Sequence, residues 1–138
     1  MISRTNGARM TPELTALTLA ALLQVLQFAA YSITAQMQVG TKKALSPRDT
    51  PVQLTGKAGR LQRAMNNHFE GLILFGIAVM VITYSGQGDG STAIACALFL
   101  AARVLYVPAY VFGWVPWRSL IWAIGFLATL YLLLAALM

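Results

Sequence analysis

Four long apolar runs constrain this chain more than any other feature of its sequence. They cover residues 14–33, 61–84, 93–112 and 120–138, and they leave little chain for other structure. A bilayer-spanning helix needs about 20 mainly apolar residues, so each run is long enough to cross a membrane. Only 10% of the residues are charged, whereas about a quarter are charged in soluble proteins. The runs predict an all-α integral membrane protein whose residues 1–138 form a single domain.

The connections between the runs favour an up-down four-helix bundle. The first connection, at about residues 36–60, is polar and contains Pro47 and Pro51, which is typical of a loop. The other two, SGQGDGS and GWVPWR, are short. Short connections place consecutive helices side by side and antiparallel, as in a bundle.

The Lys and Arg residues indicate how the spans are oriented. Arg118 lies in the third connection, and most of the others lie in the first connection or at the start of the second run, at Lys42, Lys43, Arg48, Lys57, Arg60 and Arg63. The positive-inside rule then predicts cytoplasmic first and third connections and two non-cytoplasmic termini, in the inner membrane if the cell is bacterial. Basic residues beside spans also contact anionic membrane lipids, so the net charge of +6 does not call for a nucleic-acid partner.

Two polar stripes run into the bilayer from the basic connections. The stripe of the second helix has members at i, i+3, i+7 and i+10, namely Arg60, Arg63, Asn67 and Glu70. The stripe of the third helix has members at i, i+3 and i+7, namely Arg103, Tyr106 and Tyr110. Counted from the cytoplasmic ends of the runs, the stripes match in depth, so that Arg63 lies level with Tyr110, Asn67 with Tyr106, and Glu70 with Arg103.

The depth of Glu70 and Arg103 leaves two interpretations. Both would lie about 14 Å inside the membrane at the ~1.5 Å rise of a helix. An isolated charge near the middle of a bilayer costs at least ~2.5–3.5 kcal/mol. The two groups could form a buried ion pair that pins two helices together. Alternatively, they face a pocket, in which the neighbouring Arg, Asn and Tyr side chains suit a small polar, zwitterionic or anionic molecule.

The motif R-x-x-x-N-x-x-E, formed by Arg63, Asn67 and Glu70, resembles the signature of the MAPEG family, the membrane-associated proteins of eicosanoid and glutathione metabolism, in a bacterial-type form. The Arg and Tyr residues of the third run and the P-x-R-S of residues 116–119 are also similar to that family. The resemblance begins at residue 14 and extends over essentially the rest of the chain. It implies a homotrimer of four-helix protomers, with glutathione held between neighbouring protomers near the cytoplasmic side.

The resemblance also implies roles for individual residues. Glutathione would be the co-substrate, bound by Arg63, Asn67, Glu70, Arg103, Tyr106 and Tyr110. Glu70 would receive the amino group of glutathione, and the arginines would receive its carboxylates. Arg118 resembles the arginine that lies near the glutathione sulfur in the transferases. A fixed cation beside a thiol favours the reactive thiolate, so Arg118 is the expected catalytic residue. Residue 71 departs from the leukotriene synthases of the family, because it is Gly where they have Tyr.

The sequence is consistent with two classes of function. One is an enzyme that uses glutathione to conjugate or reduce a lipophilic electrophile, a hydrophobic small molecule that enters from the bilayer. The other is a non-catalytic trimeric membrane scaffold or accessory subunit, in which the polar stripes only hold helices and protomers together.

The other polar residues of the runs receive structural interpretations. Gln24, Gln27 and Tyr31 share one face of the first run, where they form hydrogen bonds between helices or line the outer wall of a lipid-substrate cleft. His68 lies off the polar stripe and is expected to cap or contact the loop. Cys96 is expected to pack in the core, and no spacing of ligand residues predicts a metal site.

Overall fold

The part of the protein that the computed structural model describes, residues 9–40 and 54–138, contains four helices. The helices are α1 (Pro12–Val39), α2 (Gly56–Tyr84), α3 (Gly90–Val111) and α4 (Trp117–Leu137). Each is long and apolar enough to cross a membrane, and the described residues contain no strand. The predicted all-α fold with four membrane spans is therefore confirmed.

The helices extend beyond the apolar runs because local hydrogen bonds, and not hydropathy, decide where a helix ends. The Thr11 hydroxyl accepts a hydrogen bond from the Leu14 amide at 3.1 Å and caps α1. The Asp89 carboxylate caps α3 in the same way, at 2.9 Å from the Thr92 amide. An exposed polar turn can continue a helix past the bilayer, since only the last unpaired backbone groups need a partner.

The first connection is shorter than predicted from composition. Residues 36–39 and 56–60 of the predicted loop are helical. The Gln38 side chain joins the two helix ends, because its amide donates to the Thr55 carbonyl at 3.0 Å and its oxygen accepts from the Thr55 N–H at 2.9 Å. Five residues that the sequence predictions use lie outside the described ranges, namely Lys42, Lys43, Pro47, Arg48 and Pro51.

Helices α2 and α3 contact each other across the middle of the bundle. Helix α1 packs against α2 and α3, and α4 packs on the other side of the same two helices. At the centre, the ring of Phe75 on α2 stacks on that of Phe99 on α3, with ring centroids 3.9 Å apart. Small side chains surround this pair on all four helices, among them Ala16, Ala20, Ala78, Ala95 and Ala128. Small residues let helices approach closely, which favours association where lipid gives no hydrophobic driving force. Cys96 is buried in the same core, as predicted.

The two ends of the bundle differ in charge. One end, called the basic end below, carries Lys57, Arg60, Arg63 and Arg118. The opposite end carries Asp89 and Glu13, and the Glu13 carboxylate is buried and accepts a hydrogen bond from the Thr92 hydroxyl. This contact ties the start of α1 to the start of α3.

Candidate functional site

Arg103 of α3 is the centre of the polar network between α2 and α3. Its Nε donates to His68 Nδ1 at 3.1 Å, and its Nη1 donates to Asn67 Oδ1 at 3.0 Å. The guanidinium also lies 4.7 Å from the centroid of the Tyr106 ring. Arg103 is only 3% exposed, so these contacts replace water around a buried cation.

The hypothesis of a Glu70–Arg103 ion pair is wrong. Glu70 and Arg103 both lie in the part of the chain that the structure describes, and they form neither a salt bridge nor a hydrogen bond with each other. The reason is the rotation of α2 about its own axis. His68 faces the bundle core, and at about 100° per residue Glu70 lies about 200° further round the helix. The Glu70 carboxylate is therefore exposed on the outer side of the bundle.

The sequence interpretation of His68 as a loop contact is also wrong. The side chain is fully buried, and its Nε2 lies 2.8 Å from the Ala20 carbonyl oxygen of α1. A sequence signal for this placement existed. His68 has the spacing of the apolar face of α2, which contains Ala64, Phe75, Val79 and Ile82. A histidine on that face is more often a hydrogen-bonded core residue than a surface one.

Tyr110 lies between two arginines at the basic end. Arg63 Nε donates to the Tyr110 hydroxyl at 3.1 Å, as expected from their matched depth. The Arg118 guanidinium of α4 lies over the Tyr110 ring, 4.8 Å from its centroid. Arginines favour the negative face of an aromatic ring, which fixes their position without neutralising their charge. Two cations that have no carboxylate partner within residues 9–40 and 54–138 thus converge on one tyrosine.

Two cavities open on the side of the bundle formed by α2 and α4. The inner cavity has a volume of about 170 Å³, and Asn67, Glu70 and Arg103 contribute to its wall. The outer cavity has a volume of about 180 Å³ and is lined by Asn67, Tyr106, Arg118, Ser119 and Trp122. Asn67 and Trp122 line both cavities, so the two adjoin. The structure therefore brings five of the seven predicted site residues to these cavities, and Arg63 and Tyr110 adjoin them through Arg118.

Helix α4 contributes site residues that the sequence analysis did not identify. Trp122 and Gly125 follow Arg118 at i+4 and i+7 and line the cavities on the same face of α4. A Cβ atom at Gly125 would lie at ordinary van der Waals distance, 3.5 Å from the Ala102 Cβ and 3.9 Å from the Arg103 Cδ, so α4 packs closely on α3 here. The i, i+4, i+7 spacing from Arg118 was the available signal.

The polar face of α1 lies apart from these cavities. The Tyr31 hydroxyl accepts a hydrogen bond from Gln62 of α2 at 3.5 Å, which is one contact between helices. Gln27 instead donates to the Leu23 carbonyl of its own helix. The side-chain oxygens of Gln24 and Gln27 are buried without a partner among the described residues. Of the three polar residues on this face of α1, Tyr31 alone forms the predicted hydrogen bond to another helix among the described residues.

Comparison with known families adds to this geometry. The family model described as MAPEG family matches residues 14–138, nearly the whole chain. The chain belongs to the MAPEG family. A search of curated proteins and a search of solved structures each found no match. Membership of the MAPEG family together with four candidate spans identifies an integral, multi-pass membrane protein. It supports a function of the glutathione-related transferase or peroxidase kind, or one in eicosanoid metabolism.

The described residues contain no group of three or more His, Cys, Asp or Glu side chains that could hold a metal ion. In the described part of the chain, the polar groups that line the two cavities of this MAPEG protein include the Glu70 carboxylate, two guanidinium groups, the Asn67 amide and three hydroxyl groups.

Proposed function

We propose that the protein is a membrane-embedded glutathione-dependent enzyme of the transferase or peroxidase type that acts on lipophilic electrophiles. The observation that carries this proposal is the position of Arg118. Its guanidinium is held against the Tyr110 ring, in the wall of the outer cavity and without a carboxylate partner among the described residues. An unneutralised cation in a cavity wall is what a thiolate needs beside it.

The chemical step follows from that charge. A thiol with a pKa of about 8.5 is mostly protonated at neutral pH, and a nearby cation favours loss of its proton. The glutathione thiolate attacks the electrophilic carbon of the substrate, a carbon–sulfur bond forms, and the leaving group departs with its electron pair. The thiol proton passes to solvent. The exposed apolar surface of the helices lets a lipophilic electrophile reach the cavities from the bilayer.

The remaining polar groups suit the rest of glutathione. The exposed Glu70 carboxylate would accept the ammonium group, and Arg63 and Arg103 would meet carboxylates. Asn67 borders both cavities, so a single ligand that fills both cavities would contact Asn67. Tyr106 and Tyr110 complete the binding set from α3. The hydrogen bond from Arg63 to the Tyr110 hydroxyl supports this arrangement because it fixes a donor-rich group at the basic end.

We propose further that the protein is a homotrimer. Glu70, Trp122 and Phe126 border the inner cavity and are exposed in the single protomer, so one side of a ligand there would face lipid. A polar ligand in contact with hydrocarbon is unfavourable, and a neighbouring protomer would cover that side. Native mass spectrometry in a mild detergent is expected to show three chains, and a monomer at all detergent concentrations would contradict this assembly.

The function is tested by two matched arginine variants. Arg118→Leu removes the cation of the outer cavity, whereas Arg60→Leu removes one whose Nη1 donates to the Val111 carbonyl at 3.3 Å. The ultraviolet thiolate absorbance of bound glutathione is followed against pH, and turnover is measured with chlorodinitrobenzene. The absorbance midpoint should rise and turnover should fall in Arg118→Leu but not in Arg60→Leu. An unchanged midpoint with full turnover in Arg118→Leu refutes the mechanism.

A second candidate function is a non-catalytic trimeric scaffold or accessory subunit. The observation that favours it is that Arg103 already has two hydrogen-bond partners on α2 within one protomer. Polar groups that hold helices together need no ligand. Absence of glutathione binding to the purified wild-type protein, by calorimetry and thermal shift, would favour the scaffold over the enzyme.

A further inference from the structure

His68 is a junction of three helices that the proposed chemistry does not use. It lies on α2 and contacts the Ala20 carbonyl of α1 through Nε2 and Arg103 of α3 through Nδ1. The ring is fully buried and borders neither of the two cavities. His68 therefore reaches a ligand only through another residue.

The hydrogen bonds fix the tautomer of His68. An arginine Nε can only donate, so the Nδ1 that lies 3.1 Å from Arg103 must be the unprotonated, accepting nitrogen. The proton of the neutral ring is then on Nε2, which donates to the Ala20 carbonyl oxygen at 2.8 Å. Each ring nitrogen has one assigned role, and reversing them would set an N–H against an N–H.

These contacts leave one part of Arg103 free. Two of its three guanidinium nitrogens are held by His68 and Asn67. The third, Nη2, is buried and has no hydrogen-bond partner among the residues that the structure describes. A buried donor without an acceptor is unfavourable, and Arg103 lines the inner cavity. An anionic group in that cavity would provide the missing acceptor.

We infer that His68 is a positioning residue, which orients the Arg103 guanidinium so that its Nη2 serves the anionic group of the ligand in the inner cavity. This inference rests on the proposed function, in which glutathione is that ligand. A planar guanidinium held at Nε and Nη1 cannot rotate, so its third nitrogen is pre-oriented before the ligand binds. Loss of the Nδ1 acceptor frees Arg103 to rotate about its side-chain bonds, and ligand affinity then falls.

Two substitutions separate positioning from simple helix packing. In His68→Asn the amide oxygen is bonded to Cγ, as Nδ1 is, so the acceptor for Arg103 is retained and the donor to Ala20 is lost. In His68→Gln the longer side chain reaches the Nε2 position, so the donor to Ala20 is retained and the acceptor for Arg103 is lost. Each variant loses one hydrogen bond, and each should lose a similar amount of thermal stability.

Glutathione affinity, measured by calorimetry on the full chain in detergent, should distinguish them. We expect the dissociation constant to rise about tenfold or more in His68→Gln and to stay within about threefold of wild type in His68→Asn. Equal affinities, or equal losses in both variants, overturn the positioning role. If wild type binds no glutathione, the proposed function fails and the positioning role falls with it.

A measurement on the wild-type protein covers the case in which His68→Gln does not fold. The chain contains a single histidine, so nitrogen-15 labelling of histidine gives signals from His68 alone. We expect nuclear magnetic resonance to show a neutral ring with its proton on Nε2, and the Nδ1 signal to shift when glutathione is added. A proton on Nδ1, or an Nδ1 signal that glutathione leaves unchanged while it binds, overturns the inference.

Discussion

The hydrogen bond between Asn67 and Arg103 can be measured as an interaction energy. Asn67→Leu removes the acceptor of Arg103 Nη1, and Arg103→Met removes the cation at similar length. Arg103→Met also leaves His68 Nδ1 without its donor, but that loss occurs in the single and the double variant alike. The cost of that loss therefore cancels in a double-mutant cycle, which reports the interaction energy between Asn67 and Arg103.

Two effects set the expected size of that term. A hydrogen bond to a charged group contributes about 1.5–3 kcal/mol in soluble proteins. Hydrogen bonds between membrane helices average only about 0.6 kcal/mol and reach about 1.7, because the unfolded chain in the membrane also finds partners. Arg103 is 3% exposed and its bond to Asn67 is 3.0 Å long, so it should lie near the upper membrane value. We expect a coupling of about 1–1.5 kcal/mol.

Free energies of unfolding would be obtained by titrating a denaturing detergent into protein in mild micelles, with helix content followed by circular dichroism. The protein concentration stays fixed, since assembly also contributes to stability. Asn66 provides the matched control, because it is the same residue type one position earlier and is exposed. The cycle of Asn66→Leu with Arg103→Met should show a coupling within about 0.3 kcal/mol of zero.

A coupling at Asn67 below about 0.3 kcal/mol would refute the view that this hydrogen bond joins α2 to α3 in the folded protein. A coupling at Asn66 equal to that at Asn67 would refute it as well, because the effect would then follow residue type and not contact. A coupling near the expected value would show that Asn67 holds Arg103 before any ligand binds.

Three further predictions concern the two ends of the bundle. Reporter fusions after Gly56 and after Met138 should give cytoplasmic and non-cytoplasmic signals, and a cytoplasmic C-terminal fusion would reverse the predicted topology. Hydrogen bonds from the Ser91 hydroxyl and the Thr92 amide hold the pKa of Asp89 below its usual 3.8, so the capping contribution is present above that pH and is lost as the pH falls through the lower folded value. Asp89→Ala should therefore melt at a lower temperature than wild type at pH 7, and a difference that persists unchanged in strong acid would contradict this. Thr92→Val should cost about 1–3 kcal/mol of stability because it leaves the buried Glu13 carboxylate without its hydroxyl donor, whereas Thr92→Ser should cost little; similar losses in both would exclude the hydroxyl as the cause.

The sequence alone was sufficient to predict the four spans and the two polar stripes. Hydropathy over about 20 residues depends only on which residues are consecutive, so the spans can be read without knowledge of their neighbours. The stripes follow from the helical period in the same way, which is why Arg63 and Tyr110 meet as expected. The motif of Arg63, Asn67 and Glu70 was likewise sufficient to suggest the MAPEG family, which the family match confirms.

Only the tertiary structure decided which polar groups pair. A helix sequence defines its faces but not how far the helix rotates about its axis against its neighbours, since packing of all the helices sets that angle. The rotation of α2 turns His68 into the core and Glu70 outward, so Arg103 takes Asn67 and His68 as partners instead of the carboxylate at its own depth. The cavities could not be predicted from the sequence either. Their walls combine α2 and α3 with Trp122 and Gly125 of α4, and residues so far apart in the chain meet only after the helices have packed.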